Sequence, residues 1–399
     1  MPFLVPVTVN ILCITSRVPW PLEKGDKLRV YHQLRELSAR HRVHLFAITD
    51  EAVHPEAMVE LKKFCASVEV HRHSLPAILL NLLQAMLKGI PYQVGYFTSA
   101  AARRRFRRYA AGIRPDVCFF QLIRTAGYRY DVSDVPAVLD YMDVFSKGVE
   151  RRIHQVPWWK RWLFRSEWKR LLFYEAEVFR WFEGHTVISA QDRDWLPVMD
   201  RAAVKVVPNG VDTTRFHPMD RSKEFELLFN GNMNYPPNIE SAVFLVKEVL
   251  PLVHKARPEV RLLISGADPS PEVRALAGPA VTVTGWVDDV RESFARSRML
   301  VAPMTLSIGL QNKLLEAMAM RLPCITTPLS NNALGARDGV EVLLAVTAEE
   351  FARQILRLLD DAEFSERIAA NGLRLVQERF SWDGSVRILE AELTRSVTE

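Results

Sequence analysis

The stretch VKVVPNGVDTTRFHPMD (204–220) interrupts a regular alternation of short apolar runs and helix-length segments. It crowds Pro, Asn, Gly and Asp together, the composition of a turn-rich connection. Before it lie the strand candidates VTVNILCIT (7–15), VHLFAIT (43–49), DVCFFQ (116–121), AVLDY (137–141) and HTVIS (185–189). After it lie FELLFNG (225–231), VRLLISG (260–266), VTVTG (281–285), MLVAPM (299–304), PCITT (323–327) and VLLAV (342–346). Several have few polar interruptions, as expected of parallel strands covered on both faces. Helical patterns such as YHQLRELSARH and NIESAVFLVKEVLPLVHKA separate them. Such alternation predicts βαβ units. The expected fold is α/β, with two doubly wound sheets in series: residues 1–205, residues 206–380, and a terminal helix (381–399) that finishes the second domain or crosses back to the first.

Bulk composition bounds the reading. A chain of 399 residues is too long for one core and suits two domains. With 48% hydrophobic and 25% charged residues it is an ordinary globular composition. A net charge of +5 fits an anionic partner: nucleic acid, an acidic membrane or a phosphorylated substrate. Cys13, Cys65, Cys118 and Cys324 are scattered without C-x-x-C spacing, which speaks against a zinc site or disulfide framework. The amino terminus reads as a strand, and no apolar run approaches the roughly 20 residues that span a bilayer. A cytoplasmic protein is the expectation.

The segment SIGLQNKLLEAMAMRLPCITT (307–327) carries the first candidate site. If a helix begins near Gln311, Gly309 lets backbone approach a ligand and the first-turn N–H groups attract an anion. Lys313 adds a full charge, and Glu316 lies one turn further in, within reach of sugar or ribose hydroxyls. A capped structural helix with Glu316 at its surface is an equal reading of the spacing alone.

Four segments together, VVPNGVDTTRFHP, LLFNGNMNYPPN, VTVTGWVDDV and NKLLEAMAMRLPCITT, resemble glycosyltransferase family 4, retaining sugar transferases of GT-B fold. WPLEKGDKLRVYHQLRELSARHRVHLF and VLDYMDVFS are similar to that family's bacterial polysaccharide branch. The resemblance implies two Rossmann-like domains facing across a cleft, the second holding a nucleotide-diphosphate sugar and the first an acceptor. It implies a metal-independent hexosyltransferase with no cofactor beyond the donor, and a glycan or lipid-linked acceptor. Glu316 matches the ribose-holding second Glu of the family's paired-Glu motif, whereas the first Glu falls on Ile308. Asn232 and Asn238 stand where the family often has Arg and Lys on the diphosphate. Neutralisation would then fall to Lys313, backbone N–H groups, and Lys27 or Arg17. Ser307, Gly309, Leu310, Gln311, Asn312, Gly231, Gly285 and Trp286 complete the implied donor set, with Gly25 and Lys27 from the first-domain loop. Arg17, Asp26 and Arg124 are the implied acceptor set. Asp140 and Asp143 end a strand where relatives carry a His, and either is a candidate proton acceptor; Lys313 is the candidate for stabilising the leaving diphosphate.

Metal chemistry has little support: His71 and His73 flank Arg72, and the D-R-D of Asp192 and Asp194 falls at an expected helix start. Three stretches, LPAILLNLLQAMLKGIP (75–91), RRRFRR (103–108) and RRIHQVPWWKRWLFRSEWKRLLF (151–173), combine an apolar helix, basic clusters and Trp. In the first, Asn81, Gln84 and Lys88 are expected on one polar face. The combination fits an anionic membrane surface. Single-stranded nucleic acid is the competing reading, and nucleic acid is not the expected partner. The alternative to an enzyme is a non-catalytic relative that binds a glycan or a partner protein.

Overall fold

The computed structural model describes residues 8–154, 156–304 and 310–398. The chain divides into two compact units, Met1–Pro208 with Trp382–Glu399, and Asn209–Ser381.

Unit 1 contains a seven-stranded sheet: β1 (Asn10–Thr15), β2 (Arg42–Thr49), β3 (Ser67–Arg72), β4 (Val117–Gln121), β5 (Ala137–Met142), β6 (Gly184–Val187) and β7 (Val204–Val206). Its order is β3-β2-β1-β4-β5-β6-β7, and every pairing is parallel. Alternate side chains of β1 enter two cores, Ile11 and Cys13 one, Leu12 and Ile14 the other, as the two-residue repeat of a strand requires. Two strands were not anticipated. β3 (SVEVHR) is a half-buried edge strand with charged residues, and β7 is three residues inside the turn-rich stretch. The helix Trp382–Thr398 packs Val386, Leu389 and Leu393 into the core that holds Leu34 and Leu37 of the helix Gly25–Ser38.

Unit 2 has a six-stranded parallel sheet: β8 (Phe225–Asn230), β9 (Leu262–Ser265), β10 (Val281–Val283), β11 (Ser297–Ala302), β12 (Cys324–Thr326) and β13 (Leu343–Leu344). The order is β10-β9-β8-β11-β12-β13. In both sheets the chain builds outward to one edge and then returns to the other side of the first strand. The reversals fall between β1 and β4 and between β8 and β11, and crevices beyond the carboxyl ends at such points are where open α/β sheets bind ligands.

Candidate functional site

In unit 2, β8 ends at Asn230 and turns through Gly231, whose φ is +154°. A Cβ on Gly231 would stand 2.8 Å from Asn238 Nδ2 and 3.1 Å from Lys313 Nζ, so a side chain does not fit. Lys313 comes from the helix Asn312–Ala319, which follows β11. Its ammonium donates to Asn238 Oδ1 at 2.8 Å and lies 4.5 Å from the Phe229 ring centroid. Asn238 in turn donates from Nδ2 to the Asn232 carbonyl at 2.8 Å. A neutral amide and an aromatic face are weak compensation for a buried charge. Burial accordingly lowers Lys313 to about 7, against the pull of the nearby Glu316 carboxylate. Glu316 is half-buried. Its removal from water raises it to about 7, with Arg215 and Lys313 opposing. An acid and a base thus both titrate near neutrality beside a helix start.

Gln311 is the N-cap of that helix, with extended backbone and no cap bond from its own side chain. First-turn N–H groups of a helix lack intrahelical acceptors and carry the positive end of its dipole. Asn312 is held by Asn209, whose Nδ2 donates to Asn312 Oδ1 at 3.1 Å. Leu310 is buried. Ser307, Ile308 and Gly309 lie outside the described residues. Asn232 is exposed, and its side chain accepts from Asn234 N at 2.9 Å, so it shapes its own turn. Gly285 (φ +74°) and the 65% exposed Trp286 line a pocket of about 340 Å³ with Asp268, Pro269 and Arg274 beyond β9 and β10. The structure therefore gathers Gly231, Lys313, Glu316, Gln311 and Asn312 after β8 and β11, and Gly285 with Trp286 after β9 and β10.

Unit 1 gathers a second group at the carboxyl ends of its strands. Arg17, after β1, forms an ion pair with Asp26, whose carbonyl accepts from Gln121 Nε2 of β4 at 2.7 Å. Arg124 donates to Gln93 Oε1 at 3.0 Å and stacks over Phe97 and Phe145. Burial lowers Arg124 to about 10, with Arg17 adding to the shift and Asp26 and Asp50 opposing. Two non-glycine residues at these strand ends have positive φ, Leu122 (66°) and Met142 (60°), a backbone strain that concentrates at functional sites.

Asp143, half-buried, is pushed up to about 8 by burial and then by Asp192, with Asp140 and Asp26 adding and Arg29 opposing. Asp192 is buried, its Oδ1 without a partner and its other oxygen bonded to Ser189 Oγ. Sequence reasoning saw Asp192 only as a helix start. Its approach to Asp143 depends on the parallel pairing of β5 with β6 and has no local signal.

Two expectations need correction. Asp140 is fully buried, and its carboxylate accepts from Arg29 (2.7 and 3.1 Å), Thr186 (2.9 Å) and its own strand at Met142 N (3.2 Å). Arg29 also donates to the Val207 carbonyl at 2.8 Å. This pair clips the Gly25–Ser38 helix to the sheet, and its oxygens are not available to an acceptor hydroxyl. Lys27 is buried and paired with Glu23 at 2.6 Å and Glu51 at 3.9 Å, so its charge is already answered. Gly25, beside it, is exposed at the helix start. No group of three or more His, Cys, Asp or Glu placed to hold a metal occurs among the described residues.

Residues 224–361 match the model of Glycosyl transferases group 1. The chain is 22% identical to an uncharacterized 44.6 kDa protein in the cps region of Klebsiella pneumoniae, over 93% of this chain and 96% of that one. Among solved structures it is similar to sucrose-phosphate synthase of Thermosynechococcus elongatus, with a TM-score of 0.70 at 16% identity, covering 98% of this chain and 99% of that one. Anabaena Alr3699/HepE, solved in complex with UDP, is similar at a TM-score of 0.70 and 14% identity, covering 97% and 100%. The chain thus carries a glycosyl transferases group 1 domain at residues 224–361 and has the GT-B fold of two parallel-sheet α/β units.

Proposed function

We propose that this protein is a retaining, metal-independent glycosyltransferase that moves a hexose from a nucleotide-diphosphate sugar to an acceptor hydroxyl on a lipid-linked glycan. The observation that carries the reading is the buried ammonium of Lys313, in the first turn of a helix and answered by a neutral Asn238. Such a charge is under-compensated, and a diphosphate supplies what is missing. Glu316, one turn in, accepts from the ribose hydroxyls, and Trp286 offers its exposed ring to the base.

As the glycosidic bond breaks, negative charge grows on the leaving diphosphate, where Lys313 and the first-turn N–H groups stabilise it. That electrostatic role is one a metal ion fills elsewhere, and activity is expected to survive EDTA. In unit 1, Arg17 and Arg124 orient the acceptor. Asp143, with its pKa of about 8, exchanges a proton with the acceptor hydroxyl near neutral pH. The similarity to a cps-region protein supports a surface-polysaccharide product.

A thermal-shift and calorimetry panel of UDP, GDP, ADP and TDP sugars tests the reading, since a bound ligand raises the melting point by mass action. Binding of one nucleotide sugar, followed by product with the donor's anomeric configuration, supports it. A non-catalytic relative is the second reading, favoured by the Asn232 side chain being spent on its own turn; no binding by any member of the panel would select it.

A further inference from the structure

We infer that unit 1 docks on an anionic lipid leaflet through the outer face of the helix Leu75–Lys88 and the neighbouring Trp158–Phe173 segment. The helix is inverted relative to the usual pattern. Ile78, Asn81 and Ala85 face inward, while Leu75, Leu79, Leu80, Leu83, Met86 and Leu87 are exposed, Leu79 by 68% and Leu87 by 75%. Of the expected polar face, Asn81 is thus turned into the protein while Gln84 and Lys88 are exposed, and a leucine stripe is left in water beside them. Stripes of this kind mark a partner or a membrane.

The second segment meets the first through its carbonyls. Arg170 donates to the Ala85 and Ile90 carbonyls, each at 3.0 Å. Glu167 accepts from Tyr92 N at 2.8 Å and Gln93 N at 3.2 Å. On the helix Arg161–Val178, the exposed Trp162, Arg165, Lys169 and Phe173 recur at spacings of three and four residues and so share a face. Trp158, 80% exposed, and Trp159 precede it.

Charge identifies the occupant. Between Glu69 and Asp116 the sequence holds eight Lys and Arg and no carboxylate. Between Glu150 and Lys169 the one acid is Glu167, and it is buried against the Tyr92 turn. Three of the eight are paired, Arg103 and Arg107 with Asp131 and Arg105 with Glu69. Apolar side chains, Trp and the remaining cations, Lys88, Arg165 and Lys169 among them, together match acyl chains beneath phosphate headgroups. A protein interface core, by contrast, is depleted of lysine. The helix that follows the docking helix, Tyr92–Phe97, reaches the candidate acceptor site, because its Gln93 holds Arg124. Resting on the transferase reading, that link brings a lipid-borne acceptor to the residue proposed to orient it.

The test is co-sedimentation of the full chain with phosphatidylcholine vesicles with and without phosphatidylglycerol, at low and high salt, for wild type and a Leu79→Glu/Leu83→Glu variant. Both leucines are exposed, so the melting temperature should hold. Binding only to the anionic vesicles, weakened by salt and reduced at least about tenfold in the variant, is expected. Absence of binding, or equal binding by the variant, overturns the inference; so does a dimer in solution that the variant dissolves, which would make a second copy the occupant. Nucleotide titration of the same samples reports separately on the transferase reading, and the variant should match wild type there.

Discussion

Arg29 in unit 1 and Lys313 in unit 2 are both buried cations, yet their surroundings differ in one respect. Arg29 meets a buried carboxylate, Asp140, in a two-bond pair at 2.7 and 3.1 Å, and a backbone carbonyl besides. Lys313 meets an amide oxygen, an aromatic ring and the Met304 sulfur at 3.7 Å. A buried charge with a bonded counter-charge is complete, and removing either member is costly. One with neutral partners is held at a loss, and a ligand of opposite sign recovers it. The same distinction separates a structural clip from the proposed binding site within one fold type.

The largest effect should come from breaking the complete pair. Asp140→Ala leaves the Arg29 guanidinium buried and unanswered, and should cost about 3–5 kcal/mol of stability, read by urea unfolding. A small change would show that the clip is not what holds the Gly25–Ser38 helix. Next, Glu316→Ala should weaken nucleoside diphosphate binding by about 1–3 kcal/mol in calorimetry, as for a lost buried contact. Unchanged affinity would remove Glu316 from the site. Asn238→Asp turns the unit 2 pair into the unit 1 kind. It should raise the Lys313 pKa and weaken diphosphate binding about tenfold, or roughly 1.4 kcal/mol, while the lost Nδ2 bond to the Asn232 carbonyl costs about 1 kcal/mol of stability.

The smallest and most diagnostic effect is the pH profile of nucleotide affinity. Lys313 lies near 7 in the free protein and must be charged to meet phosphate, so affinity falls as pH rises above about 7. Glu316, also near 7, must be ionised to accept from two hydroxyls, so affinity falls as pH drops below about 7. A maximum near neutrality follows. Glu316→Gln should flatten the acid limb and keep the alkaline one, moved to lower pH by loss of the carboxylate that raises Lys313, which isothermal titration across buffers would show.

The comparison also marks what a sequence can display. Alternating apolar runs revealed both sheets, because burial on two faces writes itself into consecutive residues. β3 escaped because an edge strand exposes one side, and SVEVHR reads as polar. β7 escaped because three residues carry no period of their own. The Gly231 turn and the Lys313–Glu316 helix start were legible, since spacing along one helix decides which side chains neighbour each other. Pairings across the fold were not. Arg29 and Asp140 lie 111 positions apart, and nothing local distinguishes a clipped aspartate from a free one. Periodicity showed that the Leu75–Lys88 helix has an apolar face but not which way it points. Only packing against the helix Tyr92–Phe97 and Arg170 settles that.

The central claim is that Lys313 is a cation kept for a diphosphate, and calorimetric titration of UDP, GDP, ADP and TDP into wild type and Lys313→Met tests it most directly, with melting followed in parallel. At least one nucleotide should bind wild type, and the variant should bind it about 10- to 150-fold more weakly. Its melting temperature should stay level or rise, because a buried charge has been replaced by an apolar side chain of similar length. Equal affinity in the two proteins, or a variant that melts early and binds normally once folded, would contradict the account.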